Sequence, residues 1–385
     1  MPVVNRIAAF AEDMTAWRRH LHARPELGQR CEGTAAFVAG RLREWGADEI
    51  HEGVAVSGVV AVIKGSRPGP AVALRADMDA LPIEEATGAA HASTVPGRMH
   101  ACGHDGHTAM LLGAARYLAE TRRFAGQAVL LFQPAEETGG GAELMVAEGV
   151  LERFGIARAF ALHAAPGTPI GQFTTTPGPI MAAVDTFTIR VAGHGGHAAR
   201  PQDTRDPILP LCAMVQAIQT ITTRDRDPLR TLVCAVSQVH AGTVDNVVPA
   251  TAMLNGTVRT FDGATRDTVR RRLAEIAEGI AAAHGVTATL DWLPGYPPTV
   301  NDPAETAFAA SVAAEVSSVI TDLPPEMGSE DFAFILDRVP GAYLFVGVGD
   351  TAGLHHPAFD FADEALPFGA SFLARAIERA LPLEP

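Results

Sequence analysis

The sequence predicts an α/β protein with a small α+β domain inserted into a larger one. Three observations carry that expectation. Short apolar runs alternate with segments of helical period in both the first and last parts of the 385-residue chain. Four of those runs lead directly into acidic residues or histidine instead of ordinary turn residues. Between 184 and 297 the order becomes strand, helix, strand, strand, helix, strand, which is that of a ferredoxin-like domain. That stretch is bracketed by the proline- and glycine-rich joints TTTPGPI and LPGYPPTV.

Taken in order, residues 3–23 read as an amphipathic helix. It should end near Arg24-Pro25, because the residue before proline avoids helical angles. A second helix over 32–45 stops at Gly46. Strands follow at 54–63 and 71–76, the second opening into Asp77-Met78-Asp79. Next comes HACGHDGH, residues 100–107, with three histidines, a cysteine and an aspartate in eight positions. Met110, Leu111, Ala114, Ala115 and Leu118 then recur at helical spacing, so the cluster lies in a loop that ends at a helix N-terminus. The run AVLLFQP leads to Ala135-Glu136-Glu137, ARAFALH ends at His163, and AYLFVGVG precedes Leu354-His355-His356-Pro357. In the middle, strands TFTIRVAG, TLVCAVSQVH, TAMLNGTVRTF and VTATLDW alternate with helices over 207–223 and 266–284.

Sites in open α/β sheets form outside the carboxyl ends of the strands. Asp77, Asp79, Glu136, Glu137, His163 and His355 should therefore converge on the Cys102/His104 loop. Each has an ordinary alternative: Asp77 capping a turn, the Glu pair starting a solvated helix, His163 satisfied in the core. Their shared position at strand ends favours one site. Cysteine and histidine are the usual ligands of zinc and related borderline ions, so the loop reads as metal-binding.

Bulk properties narrow the partners. A net charge of −14 argues against nucleic acid or an anionic membrane surface. No stretch approaches 18 uninterrupted apolar residues, so no membrane span is expected. The N-terminal residues lack an apolar signal core. Four widely spaced cysteines form no disulfide framework, which suits a reducing cytoplasm.

Long irregular motifs then agree in order along nearly the whole chain: RRHLHARPELG, ALRADMDALPIEE, HACGHDGHTAMLLGAA, FQPAEE, GHGGHAARP, DNVVPATAMLNGTVRTFD, GSEDFAFIL and LHHPAFDFAD. Together they resemble the aminoacylase-type family of metal-dependent amidohydrolases, grouped with the dinuclear zinc metallopeptidases. The nearest branch includes hippurate hydrolases, N-acyl-amino-acid deacylases and plant auxin-conjugate hydrolases. The resemblance implies a catalytic domain (1–183 and 298–385) on a mixed central sheet flanked by helices, with an inserted lid or dimerisation domain (184–297). It implies two divalent metal ions per subunit, zinc, manganese, nickel or cobalt, and a homodimer or higher homo-oligomer. It also implies a small N-acyl amino acid or conjugate as substrate. Carried over by position, Cys102, His104, Glu137, His163 and His355 resemble the metal ligands, Glu136 the general base and Asp79 its supporting aspartate. His197 matches a histidine that stabilises the oxyanion, while Asn246 and Arg259 match positions that hold the substrate.

The chain departs from the pattern at His194, Gln202 and His356, so the choice of His355 over His356 rests on register. Three alternatives stay open at this point. One is a dipeptidase or aminopeptidase-like peptidase of the same fold. Another is a hydrolase with Cys102 as nucleophile and His104 or His107 as base. The third is a metal-binding protein without catalysis.

Overall fold

In the computed structural model, which describes residues 3–383, the N-terminal stretch expected as one helix is divided. A short turn of helix, Asn5–Ala8, is followed by α1 (Ala11–His22). Between them Phe10 N–H bonds to Ile7 O at 2.9 Å, a tight turn that drives Ile7 and Phe10 into the core beside Met14. The guanidinium groups of Arg6 and Arg116 lie over the Phe10 ring at 4.6 and 4.0 Å. Packing, with no proline involved, breaks the helix. Then comes α2 (Glu32–Glu44).

The run expected as one strand over 54–63 is instead a hairpin, β1 (Glu49–Val54) and β2 (Gly58–Lys64), paired antiparallel. Its turn places Ala55 and Val56 at φ +49° and +79°. A β-branched residue in the left-handed region is costly, so the apolar sequence gives no warning of this turn. There follow β3 (Arg67–Asp77), α3 (His104–Thr121), β4 (Ala125–Gln133), β5 (Ile156–Ala165) and β6 (Phe173–Thr174).

Next are β7 (Ala183–Ala192), α4 (Ile208–Thr220), β8 (Leu232–Ala241), β9 (Thr251–Thr260), α5 (Gly263–His284) and β10 (Thr287–Pro294). Their four strands form one antiparallel sheet in the order β8-β9-β7-β10. Along β7 every second residue is buried, so one face is apolar. The helices cover that face with Leu211, Met214, Val269 and Leu273 against Phe187, Ile189 and Leu254.

The chain closes with α6 (Pro303–Val316), β11 (Val319–Ile320), β12 (Gly341–Gly347) and α7 (Leu366–Ala380). The large sheet has the order β1-β2-β4-β3-β5-β12-β6-β11. It is mixed: β4, β3, β5 and β12 run parallel, while β1 and β2 add antiparallel strands at one side. Parallel strands are buried on both faces, which explains their nearly continuous apolar runs. The parallel strands also end on one side, bringing Asp77, Gln133 and Ala165 together. Helix α3, buried along most of its length, packs against α7 and α1.

Two units result. One runs to Ile180 and includes Thr299–Pro325 and the chain from Asp331 onward; the other is Met181–Pro298 with Glu326–Glu330. The last segment joins the second unit through Ala182 N–H, which faces Glu326 O at 3.1 Å and Gly328 O at 2.8 Å. Nothing in the linear pattern points to that addition.

Candidate metal centre

Four loops and strand β5 of the first unit bring the donors together. Gly103, at φ +89°, turns the HACG loop into α3; a Cβ there would sit 3.1 Å from that of Ala164. His104 is thereby the first residue of α3 and fully buried. Asp79 follows the end of β3, Glu136 and Glu137 follow β4, His163 lies within β5, and His355 follows β12.

Donor atoms of Cys102, His104 and His163 lie within 4.8 Å of one another, as do those of Cys102, Glu137 and His355, and those of His104, Glu136 and Glu137. The three groups share members, so the six residues form one cluster. Cys102 Sγ is 3.4 Å from His163 Nε2. Glu137 Oε1 is 3.3 Å from His355 Nε2 and 3.9 Å from His104 Nε2.

Surrounding groups fix how these donors point. His163 Nδ1 faces Ala164 O at 2.9 Å, and a carbonyl can only accept. The proton therefore sits on Nδ1, and the Nε2 lone pair faces Cys102. Asp79 accepts the backbone N–H of Glu136 at 3.0 Å and of Glu137 at 3.1 Å. Its Oδ1 lies 3.3 Å from His104 Nδ1. One buried carboxylate thus orients three site residues. His107 is different. Its Nε2 accepts Ala164 N–H at 2.9 Å and its Nδ1 donates to Asp77 Oδ1 at 2.6 Å. Both nitrogens are engaged, so His107 supports β5 and β3 and leaves no lone pair for a metal.

The two adjacent histidines also part company. His355, at φ +61°, donates its N–H to Ala101 O at 2.8 Å and directs Nε2 to Glu137. His356 Nδ1 accepts the N–H of Ala358 within its own turn at 3.1 Å.

The electrostatics call for positive charge. Burial opposes a charged His104, yet Asp77, Asp79 and Glu137 outweigh it and hold the imidazole up to about 10. Burial pushes the Cys102 thiol well up, and Glu137 and Glu136 push it further. Burial, helped by His107, drives His163 well down, leaving a neutral ring. Among buried atoms, His104 Nε2 and Glu137 Oε1 make no hydrogen bond. A neutral imidazole, a thiol that needs a cation to ionise, and unpaired donors facing one another fit divalent metal ions.

Sequence reasoning missed a second polar layer. Arg75, buried in β3, donates to Asp77 Oδ2 at 2.7 Å and Asp331 Oδ1 at 2.8 Å. Gln133 and Ala142 N–H also bind Asp331. The available signal was a charged residue inside an apolar strand, ALRAD.

Three expected site residues belong to the second unit. His197 is exposed and pairs with Val247 across a short two-stranded ribbon; Ala198 N–H bonds to Asn246 O at 3.0 Å, so His197 and Asn246 are neighbours. Arg259 lies on β9, with Nη1 3.3 Å from both Met327 O and Ser329 Oγ. Burial lowers its guanidinium pKa. It has no ion-pair partner among the described residues.

The model of the peptidase family M20/M25/M40 matches residues 73–379. An N-acetyl-L-cysteine deacetylase of Bacillus subtilis (strain 168) is 40% identical, with 97% of this chain and 90% of that protein covered. The Arabidopsis thaliana IAA-amino acid hydrolase ILR1-like 4 is 39% identical over 97% of this chain and 86% of its own length. Among solved structures, the Bacillus subtilis YXEP protein, described as a dinuclear metal binding peptidase from the M20 family, superposes with a TM-score of 0.86. It is 35% identical, with 97% of this chain and 99% of that chain covered. The mixed sheet, the donor cluster and these likenesses agree: the chain belongs to peptidase family M20/M25/M40 and is an amidohydrolase.

Proposed function

We propose that the protein hydrolyses the amide bond of N-acyl amino acids, acetyl or aroyl, or of similar conjugates. Two divalent metal ions would be held by Cys102, His104, Glu137, His163 and His355. The observation that carries this reading is a largely buried, cation-demanding donor cluster, open only at His355, with a further acid, Glu136, beside it. Donors of this mixed kind suit zinc, manganese, nickel or cobalt. When bound, the metals supply a water acidified towards neutrality and a Lewis acid for the scissile carbonyl.

The chain's own residues do the rest. Glu136 takes the proton of the water and returns it to the departing amine. Its backbone is held by Asp79, as is that of Glu137. His197 stabilises the developing oxyanion. Asn246 and Arg259 hold the substrate, Arg259 by a paired hydrogen bond to its carboxylate. The absence of an acidic partner for Arg259 among the described residues supports that role over a structural ion pair.

The cysteine-nucleophile alternative fares worse. Such a cysteine needs a lowered pKa in electropositive surroundings. Cys102 is pushed the other way, and its neighbour His163 is held neutral.

We read the second unit as the lid and dimerisation domain. Exposed Val233 and Val239 on the edge strand β8, with Ile208 and Leu209 on α4, support a homodimer or higher homo-oligomer. Four unpaired cysteines support a cytoplasmic setting; no described helix is long and apolar enough to cross a membrane.

The test is Glu136→Gln, assayed on N-acetyl and N-benzoyl amino acids beside elemental analysis. Turnover should fall by roughly 100- to 10,000-fold, the usual contribution of a positioned acid–base group, with metal content unchanged. Full activity in the variant would remove Glu136 from the reaction.

A further inference from the structure

Arg18 has no part in the scheme above, yet it is a guanidinium only 1% exposed within α1. Its donors reach the segment around Asp360 and the ring of His91, whose Nε2 lies 3.3 Å from Nη2. Nε donates to Asp363 Oδ1 at 2.7 Å and Nη1 to Asp360 Oδ1 at 3.1 Å. The same Nη1 stands 3.6 Å from Asp105 Oδ2. Asp105 is buried, follows His104 directly in the first turn of α3, and lies 2.8 Å from Nδ1 of His22, one turn along α1 from Arg18.

Asp360 sits at the base of the loop that carries His355. Its N–H donates to Thr351 Oγ1 at 3.3 Å, and its carbonyl accepts from the same hydroxyl at 3.1 Å. This pair pinches the loop at its root. At its tip, His355 N–H is fixed to Ala101 O in the loop carrying Cys102. The His355 side chain is itself 53% exposed, so burial does little to hold it.

We propose that Arg18 is a positioning residue for the metal centre. Its guanidinium clamps the root of the His355 loop, through Asp360 and Asp363, to the start of α3, through Asp105. It thereby sets the separation between His355 and the pair Cys102 and His104. The inference rests on reading those three residues as ligands.

The chemistry favours a clamp over a stabilising ion pair. Asp105 and Asp360 both face the one Nη1 group, and the planar fork of arginine addresses several carboxylates in fixed directions, as lysine cannot. Helix α1 already docks through buried Met14, Trp17 and Leu21. A buried ion adds little to stability by itself, so a geometric role accounts better for placing one here.

The test compares Arg18→Met, Arg18→Lys, Asp360→Asn and His355→Ala with the parent protein. Each is stripped of metal, its zinc affinity measured by competition with a chromophoric chelator, and its metal-free melting temperature recorded. Arg18→Met should weaken zinc binding by roughly 10- to 100-fold, the usual cost of losing a group that orients ligands. Arg18→Lys should recover little of it. Asp360→Asn, at a partly exposed position, should weaken zinc binding without moving the metal-free melting temperature. Combining Arg18→Met with His355→Ala should cost no more than His355→Ala alone, because both act through one loop.

Unchanged zinc affinity in Arg18→Met and Asp360→Asn, beside a loss in His355→Ala, overturns the clamp and leaves the ligand reading standing. Unchanged affinity in His355→Ala removes that ligand and the clamp with it. Should Arg18→Met fail to fold, Asp360→Asn decides: a lower melting temperature with full zinc affinity means a structural role only.

Discussion

At the scale of single residues, the site is a contest between burial and charge. Cys102 and His104 are both buried but end up in opposite conditions. Carboxylates keep His104 protonated up to about 10, while burial and neighbouring acids, Glu137 first, keep the Cys102 thiol from ionising. As proposed ligands, both would have to give up their protons to a metal. Affinity should therefore rise with pH across the neutral range, these two residues contributing up to two decades per unit, and their share should ease towards one decade above about 10, where His104 loses its proton unaided while the Cys102 thiol keeps its own. Competition titrations between pH 6 and 8, corrected for the chelator's own protonation, read this slope. Cys102→Ser should halve it. A pH-independent affinity would mean that the ligands are already deprotonated and that the charge argument is wrong. The identities of these residues were legible in HACGHDGH, FQPAEE and LHHP, because cysteine, histidine and paired glutamates at strand ends have few ordinary uses. Their supports were not. Asp331 joins Arg75 from 256 positions away, a partnership no local pattern can encode.

Elements place those residues, and the β4 loop shows how tightly. Ala135, just before the two glutamates, stands at φ +60°, and Gly139 and Gly140 at +113° and +62°. The helix Gly141–Ala147 then begins hard against the loop: a Cβ on Gly141 would lie 1.7 Å from Pro134 O. Backbone, unlike a flexible side-chain end, cannot step aside. Gly141→Ala should therefore destabilise the fold by about 1–3 kcal/mol as an overpacking change. It should also lower turnover, because the displaced segment carries Glu136 and Glu137. Chemical denaturation and initial rates measure the two effects, and a variant with parental values for both would show that the loop has slack. Elements with strong period were readable: α2, α5 and the strands of the second unit lie close to their expected spans. Where reading failed, tertiary packing overrode local pattern. Phe10 divides the first helix in order to be buried, and the hairpin between β1 and β2 turns through Ala55 and Val56, although the intrinsic preference of valine favours a continuous strand.

On the scale of the whole molecule, the division of labour is uneven. Every proposed metal ligand belongs to the first unit, while the second has its own core around Phe187, Leu254 and Leu273 and contributes none. A ligand that binds only the native state stabilises by mass action, about 4 kcal/mol when present at a thousand times its dissociation constant. That stabilisation should fall on the first unit alone. Calorimetry of the metal-loaded protein should show one transition that drops on chelation, by on the order of 10 °C given how melting temperature scales with domain size. A second transition should stay where it was. One transition shifting as a whole would mean that the two cores unfold cooperatively, in spite of their separate packing. No shift at all would remove the metals from the native state, and with them the reason for so many buried acids, imidazoles and a thiol in one place.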